Sequence, residues 1–157
     1  MDPTIGMMER LVEAAGLSLD MHVLDGAPTL TWIALRSDAH NLDWTAARSL
    51  ADWARQHPAA VEAMIADPPP ATGALAIDNL IAATAETLAD DAGLPAPPWC
   101  GRIPAVTEPW EAPGTPAMRR RWRENTPKRF AVRNVWCPAN AIWRERDHAV
   151  ERTPAHT

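Results

Sequence analysis

The stretch Ala74-Leu75-Ala76-Ile77-Asp78-Asn79-Leu80-Ile81-Ala82-Ala83-Thr84-Ala85-Glu86-Thr87-Leu88-Ala89-Asp90-Asp91-Ala92-Gly93 decides the fold class. Ile77, Leu80, Ile81, Thr84 and Leu88 recur at spacings of three and four, the repeat that lines up side chains on one stripe of an α-helix. Asp78, Glu86 and Asp90 are then expected to point away from that stripe. Gly93 supplies the stop, because a residue without a Cβ adopts the left-handed conformation that closes a helix. A helix over 74–92 is the expected centre of a helical body.

Working outward, Asp43 is suited to cap a helix over 44–56, with Ala47, Leu50, Ala51 and Ala54 on one face. His57-Pro58 breaks it, and a new helix starts at Pro58 and runs to Ala66. Asp67-Pro68-Pro69-Pro70 reads as a rigid spacer. Towards the N-terminus, Leu17, Leu19, Met21 and Val23 alternate with mostly polar neighbours, the period of a half-buried strand. Asp25-Gly26 marks a turn, and 29–35 reads either as a second strand or as the start of a helix. Ile5, Met8, Leu11, Val12 and Ala15 make the apolar stripe of a short helix closed by Gly16.

On the C-terminal side, 94–116 holds seven prolines in 23 residues, which excludes a helix interior or a central strand. Trp99 and Trp110 lie inside it, and an indole there is expected to clamp the segment to the domain. Thr115-Pro116 opens a helix through Glu124, Thr126-Pro127 interrupts it, and a last helix is expected over 138–149. The fold class is α+β and mostly α-helical, with a short N-terminal strand or hairpin. Four compositional parts follow: an acidic helical body over 1–93, a Pro/Trp-rich crossover over 94–116, a basic helical segment over 117–150 and a frayed tail over 151–157.

Composition narrows the function. The 157 residues carry 46% hydrophobic side chains, ordinary for a folded domain and too many for a disordered chain. No apolar run reaches the ~18 residues of a membrane span, and the first residues lack a signal peptide's basic and apolar regions, so a cytoplasmic location is expected. Cys100 and Cys137 are too few for a disulfide scaffold and lack metal-site spacing, which favours buried thiols. Charge is split: 1–98 holds 14 acids against 4 arginines, a balance of -10, whereas 99–157 has 11 basic residues against 6 acids, a balance of +5. Such a split is read either as a basic surface for nucleic acid or an acidic protein, or as two halves that neutralise each other by packing.

Catalytic patterns are scarce. There is no metal-binding His pair on a helix, no nucleophile elbow, no phosphate-binding glycine loop and no paired Cys motif. Asp38-Ala39-His40-Asn41 is the one polar cluster with general-base potential, and a capping loop uses the same letters. A small enzyme using Asp38 and His40 is therefore the weakest of three readings, and no cofactor or metal is expected. The basic run is the strongest signal: Arg119, Arg120, Arg121, Arg123, Lys128, Arg129 and Arg133 fall within 15 residues, interleaved with Trp122 and Phe130. Guanidinium groups bind two oxygens of a phosphate or carboxylate at once. Trp99, Trp110 and Trp122 are placed to fasten this segment onto the acidic body. The excess of Arg over Lys reflects a GC-rich genome as much as selection.

Two stretches carry a resemblance. Asp2-Pro3-Thr4-Ile5-Gly6-Met7-Met8-Glu9-Arg10-Leu11 with Ala14-Ala15-Gly16-Leu17-Ser18-Leu19 resembles the closing part, here 1–16, of a Cro/repressor-type (XRE) helix-turn-helix domain. The stretch from Leu75 through Asp78-Asn79-Leu80, Leu88-Ala89-Asp90-Asp91-Ala92-Gly93-Leu94-Pro95, Pro98-Trp99, Pro109-Trp110, Thr126-Pro127, Phe130 and Arg133-Asn134-Val135 is similar to the C-terminal region of actinobacterial regulators of that type, several of them antitoxin-like. The resemblance implies a non-enzymatic antitoxin or transcriptional regulator acting on a cognate protein, a toxin in the antitoxin case, with a homodimer also compatible. It covers the closing helix and none of the groove-entering residues, so it implies either a variant that kept the partner-binding body or a reading frame that begins upstream. DNA or RNA contact is the alternative, made by the Arg119 to Arg133 segment and directed mainly at phosphates.

Overall fold

The computed structural model describes residues 28–138 and Ile142. The expected helix over 3–15, the strand over 17–24, the helix-turn-helix-like stretch and the tail lie outside the described residues. So does the last helix, apart from Pro138 and Ile142.

Six α-helices and one pair of very short strands make up the described chain. Helix α1 (Leu30–Arg36) resolves the ambiguity over 29–35: the Thr29 side chain accepts a hydrogen bond from the Trp32 amide, so the segment starts as a capped helix. Helix α2 (Trp44–Gln56) begins at Asp43, whose carboxylate accepts the Ala46 amide at 2.9 Å. Ala46, Ala47, Leu50, Ala51 and Ala54 are its buried face. A 3-10 turn (Pro58–Ala60) leads into α3 (Val61–Ile65), as the proline after His57 dictates.

Helix α4 (Leu75–Asp91) is the hub. The prediction of a single apolar stripe is too narrow: every residue from Asn79 to Ala89 is buried, because α1, α2, α3, the Pro-rich crossover and the C-terminal elements all pack around it. Alanines at 82, 83, 85 and 89 allow that close approach. Glu86, expected to face away, is turned inward and is only 8% exposed. Gly93, at φ 71, lets the Leu94 amide reach back to the Ala89 carbonyl at 2.8 Å and end the helix.

The crossover lies over this body as a 3-10 turn (Pro98–Arg102) and strand β1 (Trp110–Glu111). Helix α5 (Pro116–Asn125) follows, capped by Thr115 with Pro116 in its first turn, and α6 (Lys128–Ala131) comes after Thr126-Pro127. Strand β2 (Val135–Trp136) pairs in parallel with β1, in the register Trp110 to Val135 and Glu111 to Trp136. The sheet described is thus a C-terminal one, not the expected N-terminal hairpin. It forms between two edge segments, which a proline-rich stretch permits. Asn134, at φ 63, is the one non-glycine residue among those described with a left-handed backbone. Its Nδ2 donates to the carbonyls of Val106 and Thr107, and its Oδ1 accepts the Trp136 indole N–H.

No helix among the described residues is long and apolar enough to cross a membrane.

Candidate functional site

The seven cations of the basic run do not share one surface. Arg133 is 7% exposed and points into the body. Its Nε donates to Glu86 at 2.7 Å, Nη1 to the Asn79 side chain at 3.0 Å and the Ile103 carbonyl at 3.1 Å, and Nη2 to the Cys100 carbonyl at 2.8 Å. One guanidinium therefore joins α4, the crossover and the segment leading into β2, and offsets the cost of burying Glu86. Arg129 lies beside it, half-buried. Nε and Nη2 form a fork on Asp90 at 2.8 Å each, and Nη1 lies 3.4 Å from Glu86. The bonds to Asp90 hold the Arg129 guanidinium more firmly in its charged form than usual.

Arg119 and Arg123 turn the other way, onto the crossover. Arg123 donates to Glu111 from Nε at 2.9 Å and Nη2 at 2.7 Å, and its guanidinium lies 4.5 Å from the centroid of the Trp136 ring. Arg119 approaches the other Glu111 oxygen at 3.8 Å. Arg120, Arg121 and Lys128 are exposed and form no ion pair among the described residues.

Trp99 is 5% exposed and its indole N–H donates to the Ile65 carbonyl at 2.8 Å, linking the crossover to α3 of the acidic body. Trp122 is the one buried side chain of α5, and the outer edge of its indole ring packs against Gly114. Any Cβ at that glycine would overlap the ring, so the sequence needs a glycine there. Trp110 is half-buried in β1, where its backbone amide donates to the Asn134 carbonyl at 3.0 Å.

Asp38 and His40 form a turn. Asp38 Oδ1 accepts the amides of His40 and Asn41 at 2.7 and 2.8 Å, and these bonds hold its carboxyl below the usual range. That oxygen is committed to backbone, and His40 is exposed at the surface. Both cysteines are buried and free, and burial pushes each thiol up to about 12, with the Glu86 charge adding to the effect at Cys100. Among the described residues no group of His, Cys, Asp and Glu is arranged to hold a metal ion.

Sequence reasoning identifies the basic cluster and misses its counterparts: Glu86, Asp90, Asn79 and Glu111. One signal is available, since Glu86 is the only charged residue between Asp78 and Asp90 in an otherwise apolar and small-residue stretch.

No family model, no curated protein and no solved structure matches the chain.

Proposed function

We propose that the chain is a non-enzymatic binding protein of antitoxin or transcriptional-regulator type, acting through a cognate protein partner. The observation that carries this reading is the internal use of the arginines. Arg119, Arg123, Arg129 and Arg133 are paired with carboxylates of the same chain, which leaves Arg120, Arg121 and Lys128 as a small outward basic surface. A surface of that size suits one bounded protein contact better than a track along a nucleic-acid backbone. The family resemblance of the sequence points the same way. The test is expression of the protein encoded beside this gene, alone and together with this chain. Growth arrest relieved by co-expression, with the two proteins co-purifying, supports the reading; a harmless neighbour and no partner in a pull-down remove it.

Nucleic-acid binding is the second reading, favoured by the exposure of those same three cations. Each phosphate neutralised steepens the dependence of log K on log salt by about 0.9, so three contacts give a slope near -3, whereas seven would give about -6. A fluorescence-polarisation titration over salt concentration separates the two values.

A further inference from the structure

The ion pairs of the basic segment are of two kinds. Arg133 and Glu86 meet with side chains 9% and 11% exposed and join α4 to the crossover, so their pairing is structural. Glu111 meets Arg123 and Arg119 at the surface, with side chains 24%, 42% and 47% exposed in that order. Its two oxygens are divided between the guanidiniums: Oε1 accepts from Arg123 at 2.7 and 2.9 Å, and Oε2 lies 3.8 Å from Arg119 Nε. Exposed pairs of this kind contribute little to stability, so another oxyanion can replace the carboxylate. The backbone around Glu111 is held without it. The Trp110 amide donates to the Asn134 carbonyl and the Ala112 amide to the Trp136 carbonyl, each at 3.0 Å, which secures β1. Helix α5 is anchored by buried Trp122, by the Thr115 cap on the Met118 amide and by the Thr126 hydroxyl on the Trp122 carbonyl. Arg123 also lies over the Trp136 ring, a contact that keeps its guanidinium presented when the carboxylate swings away. At the helical repeat Arg119, Arg123 and Arg120 fall about 60°, 100° and 160° round from Trp122 in the same sense, so these guanidiniums share one flank.

From this arrangement we infer that Glu111 is a built-in competitor: it occupies a site on this flank of α5 that takes the phosphates of a nucleic-acid backbone, and withholds Arg119 and Arg123 from them. The inference rests on the nucleic-acid reading above and adds to it a site and a restraint. A phosphodiester group offers two charged oxygens on one atom, as the carboxylate does, and a guanidinium fork fits either. The exchange itself favours a nucleic acid over an acidic protein segment. A single incoming carboxylate swaps like for like against Glu111, which is tethered beside the arginines at high effective concentration. A nucleic acid also engages Arg120 through an adjoining phosphate and releases condensed counterions, an entropic gain that a short acidic segment lacks. Glu124, four residues after Arg120, bounds the flank, so the site fits a few phosphates and not a continuous track.

The test measures fluorescence polarisation of a short labelled mixed-sequence DNA duplex with the full-length chain, over about 50–200 mM salt. E111Q removes the charge and keeps the size of the side chain. It should tighten binding roughly fivefold or more, two exposed ion pairs being gained, and steepen the slope of log K against log salt by about 1.8, for two more phosphates. E111A, which removes the acceptor too, should do at least as much, and the unfolding midpoints of both variants should stay close to that of the parent. Adding R119A/R123A to E111Q should undo the gain, whereas the same two changes should cost the parent distinctly less. E108Q takes one charge from the same crossover without freeing an arginine, and should give a smaller gain with no change of slope. An equal gain from E108Q, a gain that survives R119A/R123A, a larger gain for a Glu-rich peptide than for the duplex, or loss of folding in both Glu111 variants overturns the inference. The two readings fail separately. Duplex binding by the parent that neither E111Q nor E111A changes in affinity or slope refutes the competitor and leaves nucleic-acid binding standing, whereas no binding by the parent or by either variant removes both.

Discussion

Replacing Arg133 by Ala should cost far more stability than replacing Arg129, although both pair with Glu86. Arg133 makes four hydrogen bonds from a site only 7% exposed, so truncation leaves Glu86, the Asn79 side-chain oxygen and the carbonyls of Cys100 and Ile103 without that partner inside the fold. Breaking a buried ion pair by removing one member typically costs about 3–5 kcal/mol. Arg129, 3.4 Å from Glu86, remains as partial compensation and places Arg133→Ala near the lower figure, ~3 kcal/mol. For a chain of this size that is a fall in melting temperature of roughly 6–12 °C. Arg129→Ala removes a half-exposed fork on an exposed Asp90, and should cost about 1 kcal/mol or less. Urea unfolding followed by tryptophan fluorescence measures both, and a double-mutant cycle with Glu86→Gln isolates the pair. If Arg133→Ala costs no more than Arg129→Ala, or the cycle shows no coupling, the buried junction is not what holds the crossover to α4.

Three further outcomes follow from particular contacts. Asp43→Ala should lose about 0.5–2 kcal/mol through the α2 cap, and the advantage of the parent over the Asp43→Asn variant should depend on pH. The Ala46 amide first, then Arg36, holds the Asp43 carboxyl below its ordinary value of 3.8, so its contribution is complete above that value and disappears as pH falls through the depressed one; acid-unfolding curves of the parent and Asp43→Asn that stay parallel would contradict this. Gly114→Ala should loosen α5 by roughly 1–3 kcal/mol, because the new methyl meets the Trp122 ring, and a red shift of the native fluorescence would report the displaced indole. Cys100 and Cys137, buried and with thiols pushed up to about 12, should resist a disulfide reagent in the native protein at neutral pH and react together on unfolding; rapid native labelling of either would show that the core opens locally.

The elements governed by local chemistry are legible in the sequence. Asp43 and His57-Pro58 bracket α2, and Thr115-Pro116 and Thr126-Pro127 bracket α5, because caps and prolines act within a turn of where they stand. Legibility weakens where partners are distant. A stripe argument puts Glu86 on an outer face because it supposes one packed side, whereas α4 is covered all round. The parallel pair of β1 and β2 is not visible, since two-residue strands carry no alternation and the contacts beside them, Asn134 to Val106 and Thr107 and Arg123 to Glu111, join residues far apart in sequence. At the candidate site, sequence spacing marks seven cations as one cluster. Which of them face solvent depends on carboxylates up to 47 residues away, and no spacing rule reports that.

Arg133 also has a consequence for how the chain assembles. Its bonds reach back 47 residues to Glu86, 54 to Asn79, 33 to Cys100 and 30 to Ile103, so the last part of the described chain completes the polar interior of the first. A ribosome must have released this arginine before α4 can bury its glutamate, and the helical body emerging earlier carries an unneutralised carboxylate at its centre. Native burial of α4 is thus postponed until the basic segment arrives, and a nascent or nicked chain without that segment exposes the apolar faces that quality-control proteases and chaperones read.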